Sequence, residues 1–134
     1  AVCDFNEDLE HQAYGAADFV LMPSLFEPCG LPQMIGSIYG ALPVVHDTGG
    51  LHDTVAHLDA DGDFGNGFVF ETYDSGGLWW AIRQAMSFFR RPAAVRERQI
   101  ARIMTWAAET FNHDVNARRY IALYEKMLRR PLIV

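Results

Sequence analysis

Not one lysine or arginine occurs between residues 1 and 82, although 13 acidic residues fall there. A segment without cations neutralises no phosphate, which excludes nucleic-acid binding through that part of the chain. All 11 basic residues follow residue 82, against four acidic ones, a local surplus of seven within a chain of net charge −6. These cations alternate with apolar residues at helical spacing and read as solvated helix faces. Cysteine is scarce. Cys3 and Cys29 make no disulfide framework, and no CxxC or Cys/His cluster marks a zinc site. A reduced compartment fits such usage. No apolar run approaches the roughly 18 residues of a membrane span, and no basic stretch leads an apolar one at the N-terminus, so a secretory signal is not expected. There is no internal repeat and no low-complexity linker. What remains is a chain of 134 residues, half apolar and 13% aromatic, which suits one packed domain.

The pattern predicts strands alternating with helices. Ala1–Phe5 reads as a short strand. Asn6 with Glu7, Asp8 and Glu10 behind it makes a helix N-terminus, with Asn as the cap and acids in the first turn. That helix is expected to bury Leu9, Ala13 and Ala16 and to end near Ala17. Phe19–Met22 is a continuous apolar run, as in a strand covered on both faces. Pro23 stops it and 24–30 is a loop. Leu31, Met34, Ile35 and Ile38 then recur at 3.6-residue spacing, which makes Ile35 a core residue, and Gly40 closes the helix. Pro43–His46 is the next buried strand, followed by the turn Asp47-Thr48-Gly49-Gly50 and a short helix through Val55. After a loop over 59–67, Phe68–Phe70 is a further strand. Three helices complete the chain, with expected apolar faces Leu78/Ile82/Met86/Phe89, Ile100/Ile103/Met104/Ala107/Phe111 and Ile121/Tyr124/Met127/Leu128. The expected fold is therefore α/β, with about four short parallel strands, flanking helices and a helical C-terminal tail. Four strands, opening directly in a strand, look like the C-terminal part of a doubly wound domain.

In such sheets ligands bind beyond the C-terminal strand ends. Two segments occupy those positions: Ser24–Leu31 and Asp47–Leu51. Both place glycine where a backbone must approach a ligand closely, and both lead into a helix start whose free N–H groups favour phosphate. Neither is a dinucleotide or Walker loop, and both are compatible with ordinary strand–helix turns. Elsewhere, His46 beside Asp47 suggests an acid–base pair, but a hydrogen-bonded strand-end histidine is the simpler reading. His52 and His57 are placed on the short helix and carry no ligand pattern. Asp59-Ala60-Asp61-Gly62-Asp63 looks like a calcium loop yet fails the EF-hand pattern at Phe64 and Phe70, so it reads as a polar surface loop and no metal is assigned. The Trp79-Trp80 pair, at helical spacing, reads as core rather than as a sugar-stacking platform.

The run Phe19-Val20-Leu21-Met22-Pro23-Ser24-Leu25-Phe26-Glu27-Pro28-Cys29-Gly30-Leu31, followed by Gln33, resembles the signature of glycogen and bacterial or plant starch synthases. Tyr39-Gly40, Pro43-Val44-Val45, Thr48-Gly49-Gly50-Leu51, Asp53-Thr54-Val55 and Gly67-Phe68-Val69-Phe70-Glu71 match as well, as does the ending Phe111…Ala117…Tyr120…Leu123-Tyr124. The resemblance covers essentially the whole chain and corresponds to the last quarter to third of such an enzyme. It implies a Rossmann-like GT-B fold, residues 1–134 being the C-terminal portion of the nucleotide-sugar-binding domain, with the N-terminal domain absent from this sequence. It also implies transfer of glucose from ADP-glucose to the non-reducing end of an α-1,4-glucan with retention, needing no cofactor beyond the donor substrate. By the same resemblance Glu27 is the catalytic carboxylate facing the donor sugar. Cys29, Gly30, Leu31 and Gln33, with Thr48, Gly49 and Gly50 from the second turn, would bind the nucleotide sugar. From the residues alone, Glu27 could be a solvated loop acid, Cys29 a small buried residue, and Gly49 and Gly50 plain turn glycines.

The chain departs from the family pattern at several places. Pro32 stands where Thr or Asn is usual, Ile35 at the second glutamate of the E-x7-E motif, Ile38 at a frequent arginine, and His113 near a usual tryptophan. The Lys-x-Gly-Gly loop of the facing domain and the Arg and Lys that grip the diphosphate are not in this sequence, so the segment by itself is expected to transfer no glucose. Expected partners are ADP-glucose, an α-1,4-glucan and the facing domain of the same enzyme, with no nucleic acid and no membrane. The expected location is the bacterial cytoplasm, with the plastid as the other option. Two other readings remain open: a retaining GT-B transferase using a different nucleotide sugar, or a non-catalytic carbohydrate-binding relic. A glycosidase is disfavoured, since it generally needs paired carboxylates.

Overall fold

A computed structural model describes residues 6–132. Three parallel strands, β1 (Phe19–Met22), β2 (Leu42–His46) and β3 (Phe68–Phe70), form one sheet in the order β1-β2-β3. Val20 pairs with Pro43 and Val45 with Val69 in the registers of the two ladders. The strand expected over Ala1–Phe5 lies outside the described residues. Helix α1 (Glu7–Ala16) precedes β1, α2 (Pro32–Tyr39) joins β1 to β2, and α3 (Gly49–Thr54) follows β2. After β3 come α4 (Ser75–Phe89), α5 (Ala93–Thr110) and α6 (His113–Leu128).

Local chemistry sets the helix ends. Asn6 accepts the Leu9 N–H at 2.9 Å, Asp74 that of Gly77 at 2.7 Å and Asn112 that of Val115 at 2.9 Å, each satisfying an orphan donor of a first turn. Gly40 closes α2 in the left-handed region (φ 88°), where Ala41 N–H turns back to the Gly36 carbonyl.

Alternation along the strands divides the core between the two faces of the sheet. Leu42, Val44, Phe68 and Phe70 pack with Ala81, Ala85 and Phe88 of α4 and Ile103 of α5. Met22 and Val45 pack on the other face with Leu51 and Val55, supported by Val20 and Val69. Both faces of β2 are covered, so all five of its residues are buried. β1 is different. It is one of the two edge strands of the described sheet, and Leu21 is 50% exposed rather than enclosed.

Several expected helix faces are displaced. In α1, Leu9, Ala13 and Ala16 are exposed and Tyr14 is the buried residue, because the helix leans on Gly36 of α2 through that ring. In α2 the buried residues are Gln33, Gly36 and Ser37, whereas Leu31 is exposed and Met34, Ile35 and Ile38 are half-buried. The cause is close approach: a Cβ on Gly36 would press on Val20 Cγ2 at 2.9 Å and the Ala41 carbonyl oxygen at 3.1 Å. In α4 the seam is Ala81, Ala85 and Phe88, with Leu78 and Ile82 beside it, leaving Met86 and Phe89 at the margin. Trp79 and Trp80 consequently lie off the seam, 61% and 47% exposed, and are not core. In α5, Ile103 and Ala107 are buried while Met104 is 37% exposed. α6 buries no residue, because no described strand or helix packs along its length, and Tyr124, Met127 and Leu128 stay open.

The charge segregation has a structural use. The loop between α3 and β3 carries Asp59, Asp61 and Asp63, and cations of the second part of the chain clamp it. Arg91 at the end of α4 forks onto Asp61 at 2.5 and 2.8 Å, and Arg98 reaches Asp63 at 3.0 Å. Arg102 donates to the Gly65 carbonyl at 2.6 Å, so these helix faces are not simply solvated. Under them Gln99, fully buried, donates to the Ala60 carbonyl at 2.8 Å and to Asp63, and accepts from Arg102 Nε at 2.9 Å. The guanidinium of Arg91 holds the Asp61 carboxyl below its usual range. Exposed ion pairs contribute little, whereas a buried polar group stripped of its partner is costly. Replacing Gln99 by Leu should therefore lower unfolding stability by about 2 kcal/mol, and Arg91→Ala should barely move the midpoint. Urea unfolding of both variants checks this, and the reverse ranking contradicts it.

Candidate functional site

The C-terminal ends of β1 and β2 place the two glycine-bearing turns side by side. After β1, residues 24–30 loop outward, and Gly30 (φ 72°) turns the chain into α2. Pro32 occupies the first turn of that helix, where its missing N–H costs nothing. After β2, Thr48 leads into α3 with an extended backbone (φ −150°), and Gly49 follows in the left-handed region (φ 47°).

The two turns meet backbone to backbone. The Gly50 N–H donates to the Glu27 carbonyl at 2.8 Å. A Cβ on Gly49 would overlap the Glu27 carbonyl oxygen, and one on Gly50 the Cys29 carbonyl oxygen. Gly49 and Gly50 thus form the seat on which the 27–29 backbone rests. Among the described residues, the backbone N–H groups of Cys29, Gly30 and Leu31 have no protein acceptor.

Gln33 sits beneath this junction and is 1% exposed. Its Nε2 lies 3.1 Å from the Cys29 carbonyl, 3.0 Å from that of Gly30 and 3.1 Å from Thr54 Oγ1. It faces the underside of the loop and not a cleft. The signal for it in the sequence is slight: a polar Gln33 and a polar Ser37 four residues apart in an otherwise apolar helix. Their shared burial follows from the close packing at Gly36.

The loop is a ridge between two clefts of about 540 Å³ each. One is lined by Glu27, Gly30, Leu31, Pro32 and Ile35 together with Glu7, Glu10, His11 and Tyr14 of α1. No lysine or arginine lines it. In its wall the Tyr14 hydroxyl donates to Glu10 at 2.6 Å, and burial, then that hydrogen bond and the Glu10 charge, push the phenol well above its ordinary range. The other cleft holds Cys29, Gly50 and Thr54 and is closed by Phe111, Asn112, His113 and Arg119 at the α5–α6 corner. Ile35 lines both clefts and is not a core residue. Cys29 is exposed, and Leu25, Phe26 and Leu31 are each more than half exposed around Glu27.

The histidines sort differently from their spacing. His46 is buried, with Nδ1 2.9 Å from the Ser24 carbonyl and its ring against Phe70 and Tyr73. It is a strand-end histidine that anchors the loop's first residue. Asp47 pairs instead with His52, Nδ1 to Oδ1 at 2.7 Å, and this hydrogen bond and the Asp47 charge raise the His52 pKa. His57 lies past the end of α3, where Nδ1 accepts the Val69 N–H at 3.2 Å. Among the described residues, no three His, Cys, Asp or Glu side chains converge as a metal would need. No helix among them is long and apolar enough to cross a membrane.

No family model matches the chain. It is 40% identical over 125 residues to the glycogen synthase of Bacillus cytotoxicus, covering 93% of this chain and 25% of that protein. Against the glycogen synthase of Geobacillus thermodenitrificans it is 40% identical over 129 residues, covering 94% and 25%. The catalytic domain of starch synthase IV from Arabidopsis thaliana, solved bound to ADP and acarbose, matches with a TM-score of 0.79 at 34% identity, over 95% of this chain and 26% of that one. The chain spans about a quarter of the length of the curated relatives it matches. Over that quarter it is a homologue of glycogen synthases, and its fold is that of part of a starch synthase catalytic domain.

The seat generates a contrast between glycines. Gly50→Ala should cost about 3 kcal/mol, because the added carbon meets backbone that cannot turn aside. Gly15→Ala in α1 meets only Tyr39 Cδ1 at 3.8 Å and should stabilise by about 0.5–1 kcal/mol through helix propensity. Thermal unfolding of the two variants checks the contrast, and equal shifts contradict it.

Proposed function

We propose that this homologue of the glycogen and starch synthases is a segment of a retaining GT-B glucosyltransferase, which moves glucose from ADP-glucose to the non-reducing end of an α-1,4-glucan. The observation that carries the reading is the placement of Glu27. Glu27 lines a cleft at the C-terminal ends of parallel strands, on a loop whose Cys29, Gly30 and Leu31 N–H groups are unspent. The relatives' names and the ADP and acarbose bound to the Arabidopsis enzyme support the choice of donor and acceptor classes.

The chemistry follows from those groups. The bond from the anomeric carbon to the diphosphate oxygen breaks as the acceptor hydroxyl attacks the same face of the sugar. The acceptor's proton passes to the departing phosphate oxygen, so no second carboxylate is required. Positive charge grows on the sugar ring, and the Glu27 carboxylate stabilises it most at the transition state. The N–H groups of Cys29, Gly30 and Leu31 hold the sugar and the diphosphate at the start of α2. Gly49 and Gly50 support this arrangement from below, Thr48 flanks the same junction, and Gln33 acts on the loop rather than on the ligand. The Glu27 cleft offers the diphosphate no lysine or arginine, and its neutralising cations would come from the rest of the enzyme, the earlier part of the same domain included.

Steady-state kinetics on the full-length protein test the reading. Glu27→Ala and Glu27→Gln should each lower kcat by roughly 10²–10³ with a much smaller change in KM, and the half-buried position should leave the melting curve nearly unchanged. Near-normal kcat in both would make Glu27 a solvated loop acid. With the parent enzyme, ADP-glucose should turn over faster than UDP-glucose. Equal or better turnover with UDP-glucose would move the protein to a transferase of different donor specificity.

A further inference from the structure

Thr54 ends α3, five residues beyond the Gly49 seat, and its hydroxyl links the elements that meet under the Glu27 loop. Oγ1 donates to the Gly50 carbonyl at 2.5 Å and accepts from Gln33 Nε2 at 3.1 Å. Its own carbonyl is held by Asn66 Nδ2 at 3.0 Å, and Asn66 is 4% exposed. The Gln33 amide in turn spans Thr54 and the carbonyls of Cys29 and Gly30. Its orientation is forced by these neighbours. Turning the amide over would set its oxygen against two carbonyl oxygens. The other amide atom, Oε1, is buried without a partner and occupies the space where a Cβ on Gly30 would stand. Leaving a buried acceptor unpaired is unfavourable, and the arrangement is consistent only with Nε2 committed to the loop carbonyls.

We propose that Thr54, acting through the Gln33 amide, is a positioning residue for the Glu27 loop, fixing how the 27–30 backbone lies on the Gly49–Gly50 seat. Thr54 touches no reacting atom. Without its hydroxyl, the Gln33 amide loses its anchor on α3 and the Gly50 carbonyl its side-chain donor. The loop is then no longer held at the 29–30 end, and the Gly50–Glu27 hydrogen bond that ties it to the seat opens more often. Displacements below 1 Å at such a loop reach the reacting atoms, since catalytic geometry tolerates little misplacement.

The consequence for catalysis rests on the transferase reading above, whereas the consequence for the loop does not, so the test has two arms on the full-length protein. Thr54→Val keeps the branched shape and removes the hydroxyl. Thr54→Ser keeps the hydroxyl. In the first arm, hydrogen exchange is followed at the peptide containing the Gly50 amide, with the buried β2 peptide containing Val45 as control. Thr54→Val should speed exchange at Gly50 by roughly tenfold or more and leave Val45 unchanged, and Thr54→Ser should restore the parent rate. In the second arm, Thr54→Val should lower kcat by roughly 10- to 100-fold with KM for ADP-glucose within about twofold, again restored by Ser. Unchanged exchange at Gly50 in Thr54→Val, or equal acceleration at Gly50 and Val45, overturns the proposal. So does a normal kcat in Thr54→Val when the parent transfers glucose. A parent that transfers no glucose, with the Gly50 effect present and rescued by Ser, sustains the positioning role and sinks the transferase reading instead.

Discussion

The hydrogen bond from the Gly50 N–H to the Glu27 carbonyl joins two turns that are 23 residues apart in sequence and adjacent in space. It forms because β1 and β2 are parallel neighbours, so their C-terminal ends emerge on the same edge of the sheet. It is short because residues 49 and 50 carry no side chain, and any Cβ there would enter the loop backbone. This contact fixes the height of the loop above the sheet. The side-chain direction of Glu27, the unspent N–H groups that follow it and the separation of the two clefts all depend on that height. The glycines of the second turn therefore support the first turn, a relation that the sequence motif alone does not reveal.

Beneath the loop the supporting groups are polar and buried. Gln33, Ser37, Thr54 and Asn66 donate hydrogen bonds to backbone carbonyls, those of Cys29 and Gly30 in the loop and that of Thr54 at the end of α3 among them. At the opposite side of the sheet a second polar layer does similar work. Gln99, Arg91 just past α4 and the arginines of α5 satisfy the 60–65 backbone and neutralise Asp61 and Asp63. The uneven distribution of charge along the chain is thus partly a docking device between its acidic and basic parts. It also leaves the Glu27 cleft without a lysine or arginine.

Much of this was legible in the sequence, and the failures have a common cause. β1, β2 and β3 announced themselves as short apolar runs, and the caps at Asn6 and Gly40 lie where local chemistry puts them. Periodicity reports which residues could share a face, not which face meets a neighbour. In α2 the apolar stripe points toward the clefts, and the buried face is the small and polar one at Gly36, Ser37 and Gln33. In α4 the seam runs through alanines that permit close packing, which leaves Trp79 and Trp80 outside. α6 has an apolar face without a described partner, and no pattern within the helix could show that. His46 is the hydrogen-bonded strand-end histidine that the sequence favoured, while the pairing of Asp47 with His52 across the start of α3 carried no signal in the motif.

In the proposed enzyme a loop seated on two glycines presents Glu27 to a donor sugar and its following N–H groups to a diphosphate. A crystal structure of the full-length protein with ADP bound tests it most directly. A phosphate is expected within hydrogen-bond distance of the Gly30 or Leu31 N–H, with the Gly50–Glu27 contact intact and the Glu27 carboxylate facing the site the sugar would fill. ADP bound elsewhere, or a loop lifted from Gly49 and Gly50 while ADP occupies the cleft, would contradict it.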